Sequence, residues 1–183
     1  MPHQAALNPR HRSITGDLTM GYTHCWRYQP DSRAYAAAWP AIVQDSNHII
    51  AQLSKRIPIA GPDTTGVPLL STADGIAYNG GPGEHGEAFV LAVPGTTARQ
   101  WWFCKTDGQP YDLAVTATLL RCHLLLPEAF LIASEGAWTA DWQPARRLVK
   151  RLFGVTVRTV PFSDAALPDD DDFRALSTDT HDR

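Results

Sequence analysis

The sequence predicts one α+β domain, a mainly antiparallel sheet with about three covering helices. Three observations point there. Of 183 residues, 44% are hydrophobic and 19% charged, which suits a single core of ordinary size. Helix-like and strand-like periods follow one another in the order strand, helix, several strands, helix, strand, helix, strand, not as a regular βαβ succession. Glycine and proline crowd the middle of the chain, where short strands and turns fit better than long crossovers.

Residues 1–19 include Pro2, Pro9, Arg10, Arg12 and Gly16 without an apolar period, so they read as a disordered extension; Met1 and Met20 both stay open as the start of translation. The domain is expected over residues 20–162. Aromatic and Thr residues make 22–28 a half-buried strand. Asp31 or Ser32 then caps a helix to about Ser54, in which Trp39, Ile42, Val43, Ser46, Ile49, Ile50 and Leu53 form one stripe. Pro40 interrupts its backbone donors and implies a kink or a later start.

Residues 57–86 are punctuated by Gly and Pro, with short strands expected at 68–71 and 75–78. Segments 87–93 and 100–106 read as strands paired across a Pro94-Gly95 turn. Pro110 suits the first turn of a helix that runs to about Leu126 and is apolar on most sides. A strand at 130–134 follows, then a helix capped by Thr139 and ended by Gly154. Residues 155–160 alternate Val with Thr and Arg, the period of a last strand.

Charge is uneven. From Asp164 to the C-terminus seven Asp face two Arg, a net charge of −5, against −3 for the whole chain, so residues 1–163 carry +2. The four consecutive acids 169–172 resist compaction, and 163–183 read as an acidic disordered tail. A body so near neutral counts against nucleic acid as a partner. Three cysteines cannot all pair within the chain, which favours a reducing, cytoplasmic setting. The apolar run near 119–126 is too short to cross a bilayer.

Several chemistries can be weighed from spacing. Residues 81–86 match a dinucleotide-binding glycine loop only formally, because a strand and not a helix follows and Pro82 lacks an amide donor. No cofactor is assigned. His24-Cys25 and Cys122-His123 supply metal-ligating atoms, but neighbours on a strand face opposite ways and neighbours on a helix diverge, so no metal site is expected. Glu84, His85 and Glu87 lie in a glycine-rich turn. Cys104 is a nucleophile only if Lys105 or a helix end lowers its pKa and a base such as His24 comes near; otherwise it is a small buried residue. Core use is the default for the six tryptophans; Trp101 and Trp102 are opposite-facing neighbours, which allows one to be exposed while the other is buried.

The segment 103–112 carries the most suggestive chemistry. It brings Lys105 and Thr106 to a helix N-terminus, where a cation, a hydroxyl and free amides suit a phosphate or carboxylate. Asp112 opposes this, either by capping the helix or by repelling the anion.

The ordered motifs 20–26 (MGYTHCW), Tyr78-Asn79-Gly80, Glu87-x-Phe89, 103–106 (FCKT) and Pro110-Tyr111-Asp112 resemble a family of small uncharacterised proteins from bacteriophages and bacterial genomes, over about residues 20–160. The chain departs from that pattern at Cys25, commonly aromatic there, and at Gly108-Gln109, commonly more basic. The resemblance implies that residues 1–19 are an addition and that the setting is a mobile element; it carries no activity.

The expectation from all this is a polar pocket of His24, Asn79, Glu87, Lys105, Thr106, Tyr111 and Asp112 that binds a small anionic or nucleotide-like ligand. As an enzyme, it would use His24 or Glu87 for proton exchange and Lys105 for charge. The competing expectation is a protein–protein interaction module that inhibits a host protein without catalysis, through exposed aromatic residues.

Overall fold

The structure, a computed structural model, describes residues 22–96 and 100–169. It is a single α+β domain with antiparallel sheets and three helices, as the sequence predicts. The expected extension 1–19 lies outside the described residues, and so does most of the acidic tail.

Strand β1 (Thr23–Arg27) runs through the centre of a three-stranded sheet. Its neighbours are β6 (Trp101–Lys105) and β7 (Leu131–Ser134), both antiparallel, with Cys25 opposite Phe103 on one side and Ala133 on the other. A second sheet is built on β4 (Gly75–Gly80), which pairs with β2 (Ile59–Ala60), β3 (Leu69–Ser71) and β5 (Phe89–Leu91). The sequence did not announce β2, whose two residues carry no period.

Helix α1 (Arg33–Leu53) buries the predicted stripe together with Tyr35. Ser32 caps it by accepting a hydrogen bond from the Tyr35 amide at 3.2 Å. Pro40 sits within an unbroken helix, on its exposed side, where the carbonyl it deprives of a donor belongs to exposed Ala36 and can turn to water. Loss of the cap in Ser32→Ala is expected to lower the unfolding free energy by about 1 kcal/mol, read as a shift of the urea midpoint at constant slope.

Helix α2 (Asp112–Leu125) is buried without a break from Ala114 to Leu120, so it is the central element of the core. Helix α3 (Gln143–Phe153) ends at Gly154, whose φ of 72° is the left-handed conformation that glycine adopts without steric cost.

Four expectations are corrected. Segments 87–93 and 100–106 do contain strands, but β5 pairs with β4 and β6 with β1. After Pro94 the Gly95 amide bonds to the Pro30 carbonyl, which directs the chain away from a hairpin. Thr139 is not the cap of α3: residues 138–142 form turns, held by the Asp141 carboxylate on the Ala137 amide at 2.7 Å, and the helix starts at Gln143. Residues 155–160 form no strand. Val157 is buried as the alternation requires, but its carbonyl accepts from Arg146 Nε, and Val160 is 50% exposed. Finally, the ordered chain does not stop near Phe162: Phe162 bridges Ile132 in parallel, and Asp164–Ala166 form a 3-10 turn with Ala166 fully buried.

Candidate functional site

The two faces of β1 separate two environments. His24 and Trp26 point into the core, while Thr23, Cys25 and Arg27 point to the other face.

On the inner face, His24 is 0% exposed and both ring nitrogens are engaged. Nε2 meets Asp112 Oδ1 at 2.7 Å, and Nδ1 meets Ser134 Oγ at 2.8 Å. Thr106 Oγ also donates to Asp112 Oδ1, at 2.6 Å. Ser134 Oγ accepts from Trp142 Nε1 at 3.0 Å and from the Gly136 amide at 2.9 Å. The rings of Tyr22 and Trp142 stand edge-on to the imidazole at 5.3 and 5.5 Å. Gly136 has to be glycine here, since a Cβ would collide with the Tyr22 hydroxyl.

These bonds fix the proton positions. Ser134 has two lone pairs, and the indole and amide donors occupy both, so its hydroxyl hydrogen is directed at Nδ1. The imidazole therefore carries its proton on Nε2 and donates it to Asp112. The order Ser–His–Asp has the polarity of a hydrolase triad, but an oxygen with both lone pairs engaged has none to offer an electrophile. The relay joins β1, β7, α2 and the turns before α3, and it is sealed from solvent at His24. This is a structural clasp.

Asp112 is thus neither a helix cap nor a rival for a bound anion. Its carboxylate faces His24 and Thr106, and no side chain caps α2 at Tyr111. Asn79 is also occupied: its side chain accepts from the Gly80 and Gly86 amides and donates to the Gly86 carbonyl at 3.0 Å, so it holds the loop at 81–86. The Tyr111 hydroxyl donates to the Glu87 carbonyl at 2.7 Å. The seven residues expected in one pocket therefore divide. His24, Thr106 and Asp112 form the buried relay, Asn79 and Tyr111 hold loops, and Glu87 and Lys105 alone reach a cavity.

That cavity, of about 610 Å³, lies on the outer face of the β6-β1-β7 sheet. Cys25 forms its floor between Phe103 and Ala133. Trp101 and Phe103 stack at 5.2 Å with 27° between their planes. The far wall is the segment 162–168, fastened by Arg27, which donates to the carbonyls of Ala165 at 2.9 Å and Leu167 at 3.1 Å. Trp101 and Trp102 do face opposite ways, but neither is exposed.

Carboxylates gather at one end. Glu135 accepts from the Thr23 amide and Glu87 from the Lys105 amide, each at 2.8 Å. Thr23 and Lys105 are register partners, so these two acids border the same end of the trough. Asp164, on the far wall, also lines the trough, and Lys105 supplies the one ammonium among its described lining residues. Burial, then the charges of Glu135 and Glu87, push the Cys25 thiol up to about 12.

Cys104 is sealed beneath the sheet, where its thiol donates to the Glu87 carbonyl at 3.2 Å. Burial pushes it far above the usual thiol range, against a partial opposing effect of its bond with Tyr111. It is a core residue and not a nucleophile. Among the described residues no three His, Cys, Asp or Glu side chains are placed to hold a metal ion, and no helix is long and apolar enough to cross a membrane.

Sequence reasoning passed over Ser134 and Trp142, whose link to His24 spans more than a hundred residues of chain. It also passed over the trough, although two-residue alternation already places Trp101, Phe103 and Lys105 on one side of a strand. No family model, curated protein or solved structure matches the chain.

Proposed function

We propose that the protein is a small-molecule-binding domain whose site is the trough on the outer sheet face, and that its ligand joins a flat apolar body to a cationic or donor-rich group. The carrying observation is the division of the trough: stacked Trp101 and Phe103 beside Cys25 along its floor, and the Glu87 and Glu135 carboxylates at one end. A volume of about 610 Å³ lies within the range of sites for small organic ligands. Stacked rings favour an aromatic or planar surface. Each glutamate uses one oxygen on a strand amide and retains acceptor capacity for an ammonium or amidinium. The anionic ligand expected from Lys105 and Thr106 fits less well, because Thr106 is committed to Asp112 and Lys105 stands among acids. The resemblance to small phage and bacterial proteins adds a mobile-element setting to this reading.

A thermal-shift panel of arylalkylamines, matched arylcarboxylates and nucleotides tests it. The amines are expected to raise Tm in a dose-dependent way. Glu135→Gln keeps the acceptor for the Thr23 amide while removing the charge, and it is expected to weaken amine binding at least fivefold. Stabilisation by the matched arylcarboxylates instead of the amines, or no stabilisation by any amine at millimolar concentration, would overturn the proposal.

A further inference from the structure

A second hollow, of about 420 Å³, lies where the C-terminal end of α1, the first turn of α2 and one face of α3 meet. Its apolar floor includes Leu53, Leu113 and Leu148, and its rim carries Arg56, Arg147 and Arg151. Among the described residues, no acidic side chain lines it. It shares no residue with the trough.

Three other arginines of the domain are engaged, while Arg33 and Arg158 are exposed and make no hydrogen bond or ion pair among the described residues, but neither reaches this cleft. Arg27 holds the 3-10 segment, Arg121 pairs with Asp45 at 2.5 Å and lies over Phe153, and Arg146 lies over Trp138. Arg56, Arg147 and Arg151 make no hydrogen bond or ion pair among the described residues. Helix-dipole compensation accounts for Arg151 in the last turn of α3. It does not account for Arg147, which stands beyond the first turn and before the last turn of that helix, where the dipole has little effect. Arg147 and Arg151 are four residues apart and share a helix face, and Arg56 reaches the same hollow from a distant part of the chain. Three guanidinium groups around one concavity repel each other until an anion enters, and field lines concentrate there.

We propose that this cleft binds a phosphomonoester with an apolar or planar body, the phosphate held by Arg56, Arg147 and Arg151 and the body resting on the leucines. The planar guanidinium fork matches phosphate oxygens two at a time, and the cleft volume admits a ligand of nucleotide size. Net charge did not announce the cluster, because it averages over a chain whose cations the fold gathers at one place. This inference stands independently of the trough.

Titration calorimetry on the full chain tests it with inorganic phosphate, phenyl phosphate, adenosine monophosphate, adenosine and a single-stranded oligonucleotide. The two phosphomonoesters are expected to bind more tightly than inorganic phosphate, and adenosine not to bind. The double variant Arg147→Gln/Arg151→Gln is expected to lose at least tenfold in affinity while keeping its Tm, since both side chains are exposed. Arg56→Gln, on another element, is expected to weaken binding in the same direction. Equal affinity of wild type and double variant would overturn the proposal. Binding of the oligonucleotide alone would overturn it too, by reducing the cluster to a surface attraction for polyanions, and so would no binding of any phosphate probe at millimolar concentration.

Discussion

Asp112→Ala is expected to destabilise the domain by about 3 kcal/mol, whereas Asp112→Asn stays within about 1 kcal/mol of the wild type. The contrast follows from one atom. His24 Nε2 and Thr106 Oγ both donate to Oδ1, so an asparagine that places its carbonyl oxygen there preserves both bonds. Alanine leaves the buried His24 Nε2 without an acceptor, at about 1–3 kcal/mol, and leaves Thr106 Oγ only its longer bond to the Tyr22 carbonyl at 3.3 Å. Urea unfolding of the two variants at neutral pH measures this. If Asn proves as harmful as Ala, the negative charge matters and the clasp is more than a hydrogen-bond junction.

Alkaline instability is the second large effect. The three thiols are all raised, Cys25 to about 12 and Cys104 and Cys122 further, in each case first by burial. Burial likewise raises Tyr28 to about 12 and Tyr35, Tyr78 and Tyr111 beyond that. A folded-state pKa above the unfolded value means that the unfolded chain releases its proton first as pH rises. The contribution is therefore complete below about pH 9, the ordinary thiol value, and is lost upward from there toward the folded pKa. Each thiol costs about 1 kcal/mol per pH unit in that window, and the tyrosines join above about pH 10. For a domain with the usual ~5–15 kcal/mol of stability, unfolding is expected by about pH 11. Urea midpoints should be flat from pH 7 to 8.5 and then fall steeply. Cys25→Ala should flatten the fall between pH 9 and 10, where thiols dominate. Midpoints unchanged at pH 11 would refute the argument.

The fold was legible where a local period coincided with a tertiary requirement. The apolar stripe of α1, the all-round burial of α2 and the glycine after α3 are each readable in a short window and needed by the core. Strand partners were not readable. Segments 87–93 and 100–106 are adjacent in sequence with a turn between them, yet their ladder bonds go to β4 and β1, a choice made by packing elsewhere. The site was legible in part. His24, Thr106 and Asp112 do meet, because a strand end and a helix start were correctly placed near each other. Their enclosure was not foreseeable, since it depends on Tyr22 and Trp142 closing over the imidazole. The alternation in 155–160 misled for a physical reason: a side chain of α3 took the Val157 carbonyl that a strand partner would have used.

The two walls of the trough have unlike origins. One belongs to a sheet whose every residue has a ladder partner and whose reverse side is the core. The other, residues 162–168, is anchored at a few points: two guanidinium bonds, a single bridge, the Phe162 ring against Trp138 and Trp142, and the buried Ala166. Replacements at its exposed positions, Asp164 and Ala165, can therefore reshape one side of the trough while leaving the sheet opposite intact.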